Sequence, residues 1–118
     1  MISLTDSKLL QKMETEYKKG FSKPFILFAL AENPGSPFQL SRDVLKNSDN
    51  LISIIGSNIY PMLKDLENRN LIYYKEDPET NRKTYHLTSD GKSFLKSLIP
   101  NLKQFNEIIA INLKKFEK

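Results

Sequence analysis

The chain has 118 residues, which suits one domain with a modest core and leaves little room for a large enclosed active site as well. Eighteen Lys and Arg against fourteen Asp and Glu give a net charge of +4, a mild basic excess that fits a polyanionic partner without demanding one. The absence of cysteine excludes disulfides and thiolate metal sites, and no apolar run approaches the ~20 residues that a membrane-spanning helix needs.

The N-terminal MISLTDSKLL lacks a basic segment followed by an apolar one, so it does not read as a secretory signal, and a cytoplasmic protein is expected. A first helix is predicted over residues 5–19, with Thr5 as its cap, Asp6 near its positive end and Gly20 closing it. Leu9, Leu10, Met13 and Tyr17 form its apolar stripe. KPFILFALAE, residues 23–32, is apolar on nearly all sides and predicts a buried central helix, with Pro24 suited to its first turn. NPGS then breaks the chain, and Ser36, Pro37 and Gln39 make a capping-box pattern. The third helix runs to about Lys46, with Phe38, Leu40, Val44 and Leu45 expected inward, and NSDN marks the next loop.

GSNIYPMLKDLENRNLIYY, residues 56–74, reads as a helix running into a strand. Ile59, Met62, Leu63 and Leu66 share one helical face. With successive residues roughly 100° apart, Ser57, Tyr60, Lys64 and Asn68 point away from that face, and so does Pro61. The proline lies near enough to the helix start to remove only about one hydrogen bond. Then the period changes: LIYYKE (71–76) and KTYHLT (83–88) flank DPETNR, which predicts a β-hairpin with a charged tip. Thr88 caps a last helix that begins SDGKSFLK and runs to the end. In it Leu95, Leu98, Leu102, Phe105 and Ile109 follow a 3-4-3-4 spacing; Asn112 breaks the row and Phe116 resumes it. Pro100 falls on the opposite face, where a kink would spare the seam.

This order of elements predicts a mainly α fold with a small β-hairpin (α+β). It is a winged helix-turn-helix over residues 20–88. An N-terminal helix (1–19) that can join a dimer interface precedes it, and a C-terminal dimerisation helix (89–118) follows.

An α-helix fits the major groove of B-DNA, and residues near its N-terminus reach the base edges. Ser57 and Asn58 sit there; Asn can pair with adenine, and Ser can serve several bases. The plainer alternative is that both merely cap the helix, with Ser53 or Ile55 as rival starts. Tyr60 can donate its hydroxyl to a phosphate while its ring leans on the sugars, or it is a surface tyrosine with no partner. Lys64 suits a phosphate, but Asp65 and Glu67 cancel much of its charge, so attraction must come from elsewhere. At the hairpin tip, Asn81, Arg82 and Lys83 can follow a phosphate track or insert Arg into a narrow minor groove; by default such a tip is a solvated turn. Gln39 and Arg42 suit backbone contacts, whereas Lys8, Lys12, Lys18 and Lys19 read as solvated. His86, the only histidine, reads as structural or surface. The terminal row can fold back on its own domain or cover a second copy. The second is favoured, because a complete winged helix leaves a row of this length no obvious internal face. No catalytic residue, metal ligand or cofactor is indicated: there is no glycine-rich phosphate loop, no H-E-x-x-H and no nucleophile elbow.

SNIYPMLKDLENRNLI, then the wing, then RKTYHLTSDGKSFLKSL together resemble the PadR family of bacterial and archaeal transcriptional regulators. That family shows G-T-[LI]-Y-P-x-L-x-x-L-E in its recognition helix and a basic, aromatic strand ending in L-T-x-x-G. Here Ile59, Tyr60, Pro61, Leu63, Leu66 and Glu67 match the first pattern, and Lys83, Tyr85, Leu87, Thr88 and Gly91 the second. SPFQL (36–40) stands where the family often has G-Y-E-L, and the resemblance spans residues 20–98. Ser57 and Asn58 replace the family's Gly and Thr, so its base preference does not carry over. Pro100 interrupts what the family usually keeps as a continuous terminal helix. DPETNRK also resembles the D-P-x-D-x-R tip of MarR-type winged helices, a second choice because that scaffold is usually longer and its recognition helix lacks I-Y-P. The PadR resemblance implies a dimeric repressor whose partners are double-stranded DNA and a second copy, with no membrane; many members respond to a small-molecule effector. Two other readings stay open: a winged-helix protein-interaction module, and an architectural protein that binds any duplex.

Overall fold

The computed structural model describes residues 4–117, with side chains from residue 6 onward. Helix α1 spans Leu4–Gly20, α2 Ser22–Glu32, α3 Pro37–Asn47, and α4 Ile59–Asn68 behind a 3-10 turn at Gly56–Asn58. Strands β1 (Ile72–Glu76) and β2 (Lys83–Leu87) follow, and α5 occupies Ser89–Phe116. The cap expected of Thr5 rests on a side chain outside the described set.

The core is built on α2. Ile26, Leu27, Ala29 and Leu30 are all buried, as befits a helix with no polar face to leave wet. Leu40 and Val44 of α3, Ile59, Leu63 and Leu66 of α4, and Ile72 and Tyr85 of the hairpin close around it. Ile52 and Ile54 join from the loop after α3, where the buried Ser48 hydroxyl accepts the Ile52 amide at 2.9 Å and donates to the Leu45 carbonyl at 3.2 Å. In α3, Ser36 and Gln39 form both halves of the expected capping box. Phe38 does not point inward: it is 74 % exposed. It lies two residues before Leu40, roughly 160° around the helix, so the core face cannot hold both. Leu45, on the same flank, is half-buried.

The strands pair antiparallel from Ile72↔Leu87 to Glu76↔Lys83. NPGS does more than break the chain. The Gly35 amide donates to the Tyr85 carbonyl at 3.2 Å, and the Tyr85 amide donates to Gly35 at 2.8 Å, giving β2 a one-residue third neighbour.

The L-T-x-x-G segment is the root of α5. Thr88 Oγ1 accepts the Gly91 amide at 2.8 Å and donates to the Asn70 carbonyl at 2.6 Å, while the Thr88 amide donates to the Leu71 carbonyl at 3.0 Å. Asn70 Nδ2 donates to Asp90 Oδ2 at 2.9 Å. Gly91 is buried, and a Cβ there would stand 2.0 Å from the Leu71 oxygen. Contrary to the expected interruption, α5 runs as one 28-residue helix through Pro100. Pro100 and Lys96 are both exposed, so water can meet the Lys96 carbonyl that the proline leaves without a helical donor.

Candidate nucleic-acid interface

The start of α4 is shaped by its backbone. Gly56, at φ +56°, takes a left-handed conformation that side chains other than glycine seldom adopt, with open space around it. The chain turns once through Gly56–Asn58 and enters α4 with Asn58 at the cap position, yet the Asn58 side chain makes no capping bond. Ile55, at the head of the 3-10 turn, supplies none either. Capping therefore does not occupy Asn58, and the exposed side chains of Ser57 and Asn58 are free to meet a ligand. Pro61 is the third residue of α4, directly behind the 3-10 turn, so its missing amide falls at the start of the helix and not in its interior. Tyr60 and Lys64 are exposed on the same outer face, opposite the buried Ile59, Leu63 and Leu66.

Charge on α4 is distributed unevenly. Asp65 Oδ2 receives Lys23 Nζ at 2.8 Å and Arg69 Nε at 2.9 Å, which ties α4 to the start of α2. The hydrogen bond from Lys23, and then that from Arg69, hold its carboxyl below the usual carboxylate range. Asp65 thus answers cations on its own domain.

An open groove runs between α3 and α4 and brings Arg42, Ser57 and Tyr60 together. The outward Phe38 lines it too, with the Arg42 guanidinium 5.8 Å from its ring centroid. Gln39 is partly committed: its Oε1 accepts the Ser36 amide at 2.9 Å, leaving only its amino group to donate. Asn58 faces a different groove, shared with the α1–α2 corner.

The three wing residues divide by role. Asn81 shapes the turn: its amide donates to the Asp77 carbonyl at 2.8 Å and its φ of 57° suits an asparagine. The Asp77 carboxylate accepts the Glu79 amide at 2.8 Å, and the Asp77 amide donates to the Arg82 carbonyl at 2.8 Å. Arg82 is exposed, with no ion pair among the described residues. Lys83 opens β2, with Nζ 4.4 Å from the Tyr74 ring centroid. His86 stacks on Tyr73, centroids 5.1 Å apart, which gives it a structural place on the hairpin.

The terminal row splits in the same way. Leu95 and Leu98 pack against their own core, and Leu102 is half-buried. The expectation that the whole row lacks an internal face holds only beyond the first turns: Phe105 is 54 % and Phe116 75 % exposed, with Ile109 exposed between them. Ile108, Ile111 and Leu113 widen that apolar surface, and Asn112 Nδ2 donates to the Ile108 carbonyl within the helix. On α1, Leu9, Leu10, Met13 and Tyr17 are likewise exposed. No helix of the described residues is long and apolar enough to cross a membrane.

Residues 26–97 match the family described as Transcriptional regulator PadR-like. The matched span contains both the I-Y-P and the L-T-x-x-G segments, and no MarR-type alternative is needed. Among solved structures, the chain is similar to a PadR family transcriptional regulator from Eggerthella lenta. That likeness has a TM-score of 0.75 at 19 % identity and covers 94 % of this chain and 97 % of the other. A transcriptional regulator from Clostridium thermocellum gives 0.73 at 23 %, covering 87 % and 96 %. A PadR-like transcription factor from Bacteroides fragilis gives 0.67 at 27 %, covering 84 % and 96 %.

Proposed function

The chain belongs to the PadR-like family of transcriptional regulators, and from that premise we propose that this DNA-binding regulator is a dimeric repressor that grips a palindromic operator with two recognition helices and two wings. The observation that carries this reading is the row Ser57, Asn58, Tyr60 and Lys64. All four are exposed; Ser57, Tyr60 and Lys64 stand opposite the buried face of α4, and Asn58 flanks them at the end of the helix that reaches base edges.

In this reading Asn58 and Ser57 meet bases, while Tyr60 and Lys64 meet the backbone beside them. Arg42 and the Gln39 amino group hold the phosphates next to α3. Arg82 is the cation of the wing, on a turn that Asn81 shapes, with Lys83 supporting from the strand. Functionally the chain divides into an N-terminal helix (1–19), a DNA-binding unit (20–88) and a dimerisation helix (89–118). Leu102, Phe105, Ile109 and Phe116 cover the partner copy, with Leu95 and Leu98 anchoring the helix at its root. Two-fold symmetry then sets the recognition helices about one DNA turn apart, ~34 Å, and bound dimer occludes polymerase. A small-molecule effector between the terminal helices and the DNA-binding lobe would act by altering that spacing.

The test is selection of bound fragments from random DNA, followed by competition and sedimentation. A palindromic fragment preferred roughly 10³-fold or more over random duplex, bound by two copies, supports the reading. Equal affinity for all duplexes would replace it with an architectural protein, and no duplex binding at low salt with a protein-interaction module.

A further inference from the structure

The two grooves beside the start of α4 carry cations on both sides. One side belongs to α3 and its Arg42. The other is formed by the last turn of α1 and the first of α2, where Lys18, Lys19 and Lys23 border the grooves that also contain Asn58 and Pro61. The sequence alone gives no reason to connect the end of α1 with residue 58; the fold places them along one depression.

These three lysines are not equivalent. Lys23 is held by Asp65 at 2.8 Å, and Lys18 lies 3.5 Å from Glu14 on its own helix. Lys19 is exposed and has no ion pair among the described residues. A lysine in the last turn of a helix is favoured by the helix dipole, which is reason enough for it to be tolerated there. Its position beside Asn58 adds a second consequence. A helix seated in a major groove has a phosphate strand on each side, the groove being about 12 Å wide. Arg42 can serve one strand only.

We infer that Lys19 contacts the phosphate backbone on the side of the recognition helix opposite Arg42, so that α4 is held between two cationic rails. The inference rests on the DNA-binding reading above and adds a contact from outside the helix-turn-helix and wing. It is compatible with a dimer that covers α1: Lys19 lies roughly 135° around that helix from the centre of the Leu9, Leu10, Met13 and Tyr17 stripe. A phosphate contact of this kind adds affinity and fixes register but carries no base preference.

The experiment measures the dissociation constant of a labelled duplex of mixed sequence against KCl concentration for the full chain and three variants. Lys19→Gln removes the charge, Lys19→Arg preserves it, and Lys114→Gln removes a charge near the far end of α5. The expected result is that Lys19→Gln flattens the plot of log K against log salt by about 0.9 for each bound copy. Lys19→Arg restores the wild-type slope, and Lys114→Gln leaves it unchanged. Circular dichroism checks that every variant is folded. A Lys19→Gln slope equal to that of wild type, or a loss shared equally by Lys114→Gln, overturns the inference while leaving the regulator reading intact. Wild-type protein that ignores duplex at low salt overturns both.

Discussion

Replacing Gly91 by alanine should unseat the long helix. The new Cβ would lie 2.0 Å from the Leu71 oxygen, 3.0 Å from its carbon and 3.3 Å from Leu87 Cδ2. Carbon and carbonyl oxygen ordinarily approach no closer than about 3.3 Å, so the helix root or the backbone at Leu71 must retreat by more than about 1 Å. That carbonyl also accepts the Thr88 amide, and Thr88 Oγ1 caps the helix through the Gly91 amide, so the retreat strains both bonds. Overpacking of this type costs about 1–3 kcal/mol, and the weakened cap and hydrogen bond add about 1 kcal/mol each. Against this, alanine gains about 1 kcal/mol over glycine as a helix former. The clash should win, with a net loss of about 2–4 kcal/mol and a melting temperature lower by roughly 10 °C or more. Urea unfolding followed by far-ultraviolet circular dichroism, at fixed protein concentration, measures it. Gly20→Ala is the matched control: nothing lies within 4 Å of a Cβ there, so it should be neutral or slightly stabilising. A Gly91→Ala protein as stable as wild type, or more stable, would refute the claim that the glycine is there for close approach.

Three further substitutions test separate parts of the molecule. Arg82→Ala should weaken duplex binding and flatten its salt dependence while shifting stability by less than about 0.5 kcal/mol; unchanged affinity by fluorescence anisotropy would remove the wing from the interface. Phe105→Asp should give a monomer in sedimentation while the domain stays folded, because this exposed ring contributes little to its own core; a mutant that remains dimeric would refute the assigned seam. Asp65→Asn should destabilise the protein near neutral pH by breaking the link between α4 and α2. Because the native carboxyl titrates below its unfolded value, the stability it confers is present above about pH 4 and is lost as pH falls through the lowered native value. Thermal melts at about pH 6 and about pH 3 should therefore show the gap between wild type and mutant closing in acid; a gap that stays constant would contradict the assignment.

Local patterns were readable from the residues, and relations across the fold were not. Ser36 and Gln39 form a capping box because both halves lie within one turn, and Ile59, Leu63 and Leu66 announce their shared face by spacing alone. Phe38 is apolar but stands at an outward angle on α3, and composition does not separate an exposed aromatic from one in a core. The heptad groups Leu95 with Phe105 on one side of α5, but spacing does not say what lies opposite. The first two leucines meet their own domain because that end of the helix is still above it. Capping by Asn58 was a fair alternative until the 3-10 turn set the backbone. The grouping of Lys19 with Asn58 had no signal in the sequence, since the end of α1 and the start of α4 are far apart in the chain and meet only in the folded molecule.

Asn70 and Leu71, whose carbonyls hold Thr88, come directly after the end of α4, so the rod that leaves the domain is pinned almost at the foot of α4. The rod has 28 residues, which makes it about 42 Å long. A tilt of about 5° at its root swings the free tip through roughly 4 Å, and a push of that size at the tip turns the root by the same angle. The geometry is that of a long lever hinged beside α4: small angular changes at the root become displacements of several ångströms at the tip.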